Sequence, residues 1–190
     1  MVHYRDTYAL IRLDYLKQNI NTIYNKVQKP LMAIIKANAY GHGYQQVADV
    51  LKDDEKIAMF GVATLKEAID LRKAGVEKDI LVLGAIPLED LSMVIDNDIT
   101  LTLYSKEYLQ EIIYLYHHTK PVKVHIKVDT GMNRIGLKDA DEINKAISMI
   151  LEHNGIIEGI FTHYACADDE DNQRKAPTVD KSFFLMRFGT

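Results

Sequence analysis

A chain of 190 residues, 47% hydrophobic and 26% charged, can bury one substantial core but hardly two, which argues for one globular domain. Its formal net charge of -4, with lysines and arginines dispersed along the chain, gives no electrostatic reason to expect nucleic acid or an anionic membrane as partner. The single cysteine, Cys166, excludes an internal disulfide, the first residues lack a signal-peptide core, and no apolar run nears the roughly 18 residues of a membrane span, so a soluble, cytoplasmic protein is expected.

In chain order, Tyr8-Ala9-Leu10-Ile11-Arg12-Leu13 predicts a strand ahead of the first repeating unit. Leu16, Ile20, Ile23, Tyr24 and Val27 then share one helical face. The apolar run Leu31 to Lys36 predicts the first strand of a series, followed by a helix carrying Tyr44, Val47, Ala48 and Leu51. Ile57 to Ala63 is the second strand, and Thr64-Leu65-Lys66-Glu67 reads as a capping box opening a helix through Leu71 and Ala74. Ile80 to Leu83 and Ile99 to Leu103 are the next strands. Leu109, Ile112, Ile113 and Tyr116 mark a helix with Ser105 near its start. Val122 to Val128 is the fifth strand. Ile143, Ala146, Ile147, Ile150 and Leu151 form a helical stripe that Asn154-Gly155 closes as a left-handed cap, and Ile156 to Thr162 is the sixth strand. The charged stretch Asp168 to Lys175 predicts an exposed loop before a last helix starting near Val179.

Strands alternating with helices imply βα units and a parallel sheet, and the nearly continuous apolar runs suit strands covered on both faces. A doubly wound open sheet and a (β/α)₈ barrel both fit. A complete barrel takes about 250 residues, so six strands would leave it about two units short.

The densest chemistry lies in Ala33-Ile34-Ile35-Lys36-Ala37-Asn38-Ala39-Tyr40-Gly41-His42-Gly43. A lysine closing an apolar strand is poorly explained by solvation, and desolvation lowers a lysine's pKa toward the free amine that Schiff-base chemistry needs, although on the residues alone a strand-end lysine snorkelling into solvent is the commoner case. The glycines are expected to turn the chain into the next helix, where Tyr40 could reach a phosphate. In a second block, Val124-His125-Ile126-Lys127-Val128-Asp129-Thr130-Gly131-Met132-Asn133-Arg134-Ile135-Gly136, Lys127 and Asp129 share one side of a strand and Arg134 lies in the turn beyond it. The plain alternative is a surface pair of Lys127 with Asp129. A third block, Glu158 to Asp168, puts His163 at the end of the sixth strand; a lone histidine there is more often a core residue than a catalyst.

The string Lys36-Ala37-Asn38-Ala39-Tyr40-Gly41-His42-Gly43 closely resembles the cofactor-lysine motif of alanine racemases, and the second and third blocks follow in that family's order. The resemblance implies an α/β fold, a (β/α)₈ TIM barrel that is incomplete here at about six units. Residues 1–190 would be the N-terminal, cofactor-binding part of the barrel, truncated, without the family's C-terminal β-domain. It implies that pyridoxal 5'-phosphate joins Lys36, which exchanges a proton with the α-carbon, and that Tyr40 binds the phosphate. Arg134 would donate to the cofactor's phenolic oxygen and contact the substrate, Leu83 would give apolar contact to the ring, and His163 would help orient it. Lys127 would be carbamylated, an anion paired with Arg134. No metal is expected.

The implied activity is interconversion of L- and D-alanine for peptidoglycan by a cytoplasmic homodimer, an isomerase acting on a small amino acid. The chain alone is expected to be inactive, because only one proton-transfer residue can be named in it. A serine racemase on the same barrel and a non-catalytic pyridoxal-phosphate-binding protein are the alternatives.

Overall fold

The computed structural model describes residues 7–116 and 120–165. The chain divides into two compact units, Met1–Ile80 and Leu81–Thr190. The expected loop at Asp168 to Lys175, the helix near Val179 and Cys166 lie outside the described residues.

In the first unit, α1 (Leu13–Val27) leads to β1 (Leu31–Ile34), a single left-handed helical turn α2 (Lys36–Tyr40), α3 (Tyr44–Leu51), β2 (Ile57–Val62) and α4 (Leu65–Lys73). β1 and β2 pair in parallel, Ala33 opposite Phe60 and Ile34 opposite Gly61. Phe60 and Leu71 are fully buried. Each contributes about 1.5–3 kcal/mol through the area it removes from water. The capping box at α4 is present: the Thr64 hydroxyl accepts from the Glu67 N–H at 3.3 Å, and the Glu67 carboxylate accepts from the Thr64 N–H at 3.3 Å.

The strand β3 (Asp79–Val82) begins at the end of this unit, and its Leu81 and Val82 pair with Thr100 and Leu101 in the second. There, a 3₁₀ turn (Leu88–Asp90) and α5 (Leu91–Asp96) precede β4 (Thr100–Leu103), α6 (Lys106–Leu115), β5 (Lys123–Lys127), α7 (Ala140–Glu152) and β6 (Ile156–Phe161). All pairings from β3 to β6 are parallel. Every residue of β4 is buried, as for a strand covered on both faces. Its two threonines find acceptors, Thr100 on Glu158 at 2.6 Å and Thr102 on the Val82 carbonyl at 2.7 Å. Ser105 caps α6 by accepting from the Tyr108 N–H at 3.1 Å, and Asp139 caps α7 by accepting from the Glu142 N–H at 2.8 Å.

Two expectations are corrected. Residues 7–12 carry no strand, and α1 begins at Leu13. The apparent alternation borrowed Leu13 from the helical stripe that buries Ile20, and Arg12 fixes the entry by binding Asp14 through two contacts of 2.9 and 2.6 Å. The first strand stops at Ile34, so Lys36 stands beyond it instead of closing it. Apolarity runs on because Ile35 is buried, although its N–H makes the last bond to β2, at 2.9 Å to the Gly61 carbonyl.

Candidate active site

Lys36 opens a turn of unusual hand. Ala37, Asn38, Ala39 and Tyr40 have φ of 51°, 57°, 50° and 55°, four consecutive non-glycine residues in the left-handed region. An L-residue there costs about 1–2 kcal/mol, and only asparagine among these four adopts it readily. The chain thus begins to turn before the glycines and continues through them as expected, Gly41 and Gly43 having φ of 90° and 87° ahead of α3.

Several hydrogen bonds hold the turn. The Ala39 N–H donates to the Ile35 carbonyl at 2.8 Å, and the N–H groups of Gly41 and Gly43 donate to the Asn38 carbonyl at 3.0 and 2.9 Å. The Asn38 side chain accepts from the Tyr44 N–H at 3.1 Å and so satisfies the start of α3. His42 Nδ1 donates to the Ala39 carbonyl at 2.8 Å, which makes it a brace of the turn. The Ala37 N–H reaches out of the turn to Oε1 of Glu67 at 2.8 Å. Lys36 is half-buried, while Tyr40 is 62% exposed. A neighbouring cleft of about 580 Å³ is lined by Ile20, Ile34, Tyr40 and His42 but not by Lys36.

In the second unit the chemistry gathers past the ends of β5 and β6. Lys127 is only 3% exposed, so a surface ion pair is ruled out. Its Nζ donates to the Val128 carbonyl at 2.9 Å and lies 5.7 Å from the centre of the Phe161 ring. Burial pushes its pKa down, the positive charge of Arg134 adds to that, and Asp129 opposes it. Asp129 does not continue the strand beside Lys127. Its Oδ1 accepts from the N–H groups of Gly131 and Asn133, both at 3.0 Å, and those bonds, Asn133's first, hold its carboxyl below the usual carboxylate range.

That carboxylate organises the turn bearing Arg134, which is exposed. The turn closes on β5 through the Asp129 N–H to the Leu137 carbonyl and the Leu137 N–H to the Lys127 carbonyl, both at 2.9 Å. Thr162 donates to the Val128 carbonyl at 2.9 Å and shares a 2.6 Å bond with Thr130, tying the turn to the end of β6. His163 follows as an exposed residue, and Leu83 is half-buried just past β3.

Of the expected site residues, Lys36 and Tyr40 fall in one turn of the first unit, and Leu83, Lys127, Arg134 and His163 in the second. Sequence reasoning passed over the second contact of Glu67, the Thr130–Thr162 pair and the role of Asn38. Only the capping-box pattern at Glu67 was a usable signal.

The sequence pattern of the family described as alanine racemase, N-terminal domain, matches residues 11–183. Alanine racemase 1 of Bacillus subtilis is 41% identical over 191 residues, covering 97% of this chain and 46% of its own length. The crystal structure of alanine racemase from Bacillus anthracis with bound L-Ala-P superposes with a TM-score of 0.81 at 35% identity, over 90% of this chain and 45% of that one. The histidine racemase of Leuconostoc mesenteroides gives 0.76 at 30% identity, again over 90% and 45%. The chain thus spans about half the length of the curated relatives it matches. The fold class is accordingly that of an incomplete (β/α)₈ barrel, with six of its strands among the described residues.

Proposed function

The chain belongs to the alanine racemase N-terminal domain family, and from that premise we propose that it carries the pyridoxal-phosphate-binding half of an enzyme interconverting L- and D-alanine. The observation that carries this reading is Lys36, half-buried on a strained turn directly beyond a parallel strand. The donor set fits the cofactor: an amine for its aldehyde at Lys36, a phenol for its phosphate at Tyr40, and a guanidinium for its phenolic oxygen at Arg134.

Pyridoxal phosphate, when bound, supplies an electron sink that acidifies the α-hydrogen of an amino acid joined to it. Lys36 would hold the cofactor through its Nζ, and that amine would take or return a proton at the substrate α-carbon on one face. Tyr40 would donate its hydroxyl to the phosphate. Arg134 would orient the phenolic oxygen and meet the substrate carboxylate, Leu83 would pack on the ring, and His163 would help set its orientation. The opposite face needs a second base, which we assign to the remainder of a homodimeric, cytoplasmic enzyme supplying D-alanine for peptidoglycan. Likeness to a histidine racemase supports giving these residues to chemistry common to amino-acid racemases, with side-chain choice determined elsewhere. Borohydride reduction of the full-length protein is expected to fix the cofactor on the Lys36 peptide. A label on Lys127, or on no lysine, would remove the basis of this reading.

Lys127 is assigned a second, covalent role. Its buried amine, biased toward the neutral form, attacks carbon dioxide; an N–C bond forms, one C=O opens to carboxylate, and a proton leaves to solvent. The product is an anion that pairs with Arg134. Carbon-13 bicarbonate NMR should show the carbamate, and Lys127→Ala should regain activity with acetate. Without carbon dioxide, a lysine whose folded pKa lies below its ordinary 10.5 makes stability rise with pH between those two values, because only the unfolded chain holds the proton there. Lys127→Met should flatten that rise. A free ammonium at Lys127 together with undiminished activity in Lys127→Ala would overturn the assignment.

A further inference from the structure

Lys36 is bracketed by two hydrogen bonds of different origin. On its N-terminal side the Ile35 N–H donates to the Gly61 carbonyl at 2.9 Å, the last bond tying this chain to β2. On its C-terminal side the Ala37 N–H donates to Glu67 Oε1 at 2.8 Å, across 30 residues of sequence. Glu67 is the capping-box residue of α4, and its other oxygen, Oε2, accepts from the N–H groups of Ala63 at 2.7 Å and Thr64 at 3.3 Å. A capping-box glutamate ordinarily serves its own helix. Here one oxygen does so and the other holds the first residue of a left-handed turn.

We propose that Glu67 is a positioning residue for Lys36, its carboxylate pinning the left-handed turn against the end of β2 so that the lysine amine is presented in one direction. Residues in the left-handed region persist only where their surroundings over-determine them. Ala37 has no polar side chain to do this locally, and the bonds within the turn begin only at Ala39. An N–H bond to a carboxylate is roughly twice as strong as one to a neutral acceptor, so Glu67 is suited to the task. Without it the backbone beyond Ile35 relaxes toward ordinary right-handed or extended conformations, which swing Lys36 and Tyr40 together. The inference rests on the reading of Lys36 as the cofactor lysine and adds what aims it.

The test compares wild type, Glu67→Ala, Glu67→Gln and Thr64→Ala in the full-length protein. Thr64→Ala removes the hydroxyl cap of α4 and leaves the contact to Ala37, so it controls for helix stability. Three quantities are read: amide hydrogen exchange at Ala37 without cofactor, the extent of borohydride labelling at Lys36, and kcat against KM. In Glu67→Ala, Ala37 exchange should accelerate at least about tenfold, labelling should fall, and kcat should drop about 10- to 100-fold with KM little changed, the size expected for a misplaced reacting group. Glu67→Gln, whose single amide oxygen can serve only one of the two sites, should fall between it and wild type. Thr64→Ala should lower Tm while leaving Ala37 exchange and kcat near wild type.

Unchanged Ala37 exchange and kcat in Glu67→Ala overturn the proposal. So does a Thr64→Ala variant that matches Glu67→Ala in all three readouts, since Glu67 would then be a helix cap and nothing more. If Glu67→Ala does not fold, Glu67→Gln against Thr64→Ala decides on the same criteria. Absence of a Lys36 label in wild type would sink the cofactor reading instead, while Ala37 exchange would still report on the clamp.

Discussion

Lys36→Ala in the full-length protein is expected to abolish racemisation, with a loss of at least about 10⁴-fold in kcat. One positioned proton transfer supplies about 10²- to 10⁴-fold on its own, and on the proposed reading the same amine would also hold the cofactor. Lys36→Arg should fare no better, because a guanidinium stays charged and cannot take the place of a nucleophilic amine. The side chain is half-buried beyond β1 and belongs to neither core, so the substitution should leave thermal stability within about 0.5 kcal/mol of wild type. Circular dichroism of an alanine solution measures the rate, and a thermal melt of the same sample checks the fold. Activity within tenfold of wild type, from a folded variant, would remove Lys36 from the chemistry.

The parallel strands were legible because burial on both faces leaves little room for polar residues. β4 is the clearest instance: Thr100, Leu101, Thr102 and Leu103 are all buried, and a run of that kind has few other readings. Helix starts were legible where the capping partner lies three residues away, as at Thr64 and Ser105. Strand ends were not, since apolarity outlasts the ladder; Ile35 is buried beyond β1 and Leu83 half-buried beyond β3. The helix α5 was missed although Leu91, Val94 and Ile95 stand at helical spacing, because six residues give the period too little length.

The candidate site could be named residue by residue from its motifs, but the geometry of its turns could not. Nothing in Ala37-Asn38-Ala39-Tyr40 announces a left-handed turn, since alanine favours the right-handed helix and only asparagine tolerates the opposite hand. The turn is tied down by contacts that local sequence does not announce, among them the reach of Ala37 to Glu67. Asp129 shows the same limit. Alternation placed it beside Lys127, but the chain leaves β5 after Lys127 and the carboxylate turns back on its own loop. Glu67 itself was visible as a cap, and its second oxygen was not.

A second large effect is expected at Gly136. Its φ is 128°, and a Cβ built there would stand 2.6 Å from the Asp129 nitrogen, 2.9 Å from the Val128 carbonyl carbon and 3.0 Å from the Lys127 oxygen. All three are backbone atoms, so none can swing aside as a side-chain tip would. Gly136→Ala must therefore push Leu137 away from β5 and stretch both 2.9 Å bonds that close the Arg134 turn. The disfavoured φ costs about 1–3 kcal/mol and the overpacking about 1–3 kcal/mol more. Gly131→Ala separates the two contributions. Gly131 also has a positive φ, 121°, but its Cβ would meet nothing within 4 Å, so only the conformational cost applies. Denaturant unfolding at constant m-value should rank wild type above Gly131→Ala above Gly136→Ala. On the reading that Arg134 meets pyridoxal phosphate, the cofactor should also bind more weakly in Gly136→Ala, because Arg134 loses the frame that Asp129 and Leu137 give it. Equal destabilisation by the two substitutions would show that crowding against β5 is not what requires glycine at position 136.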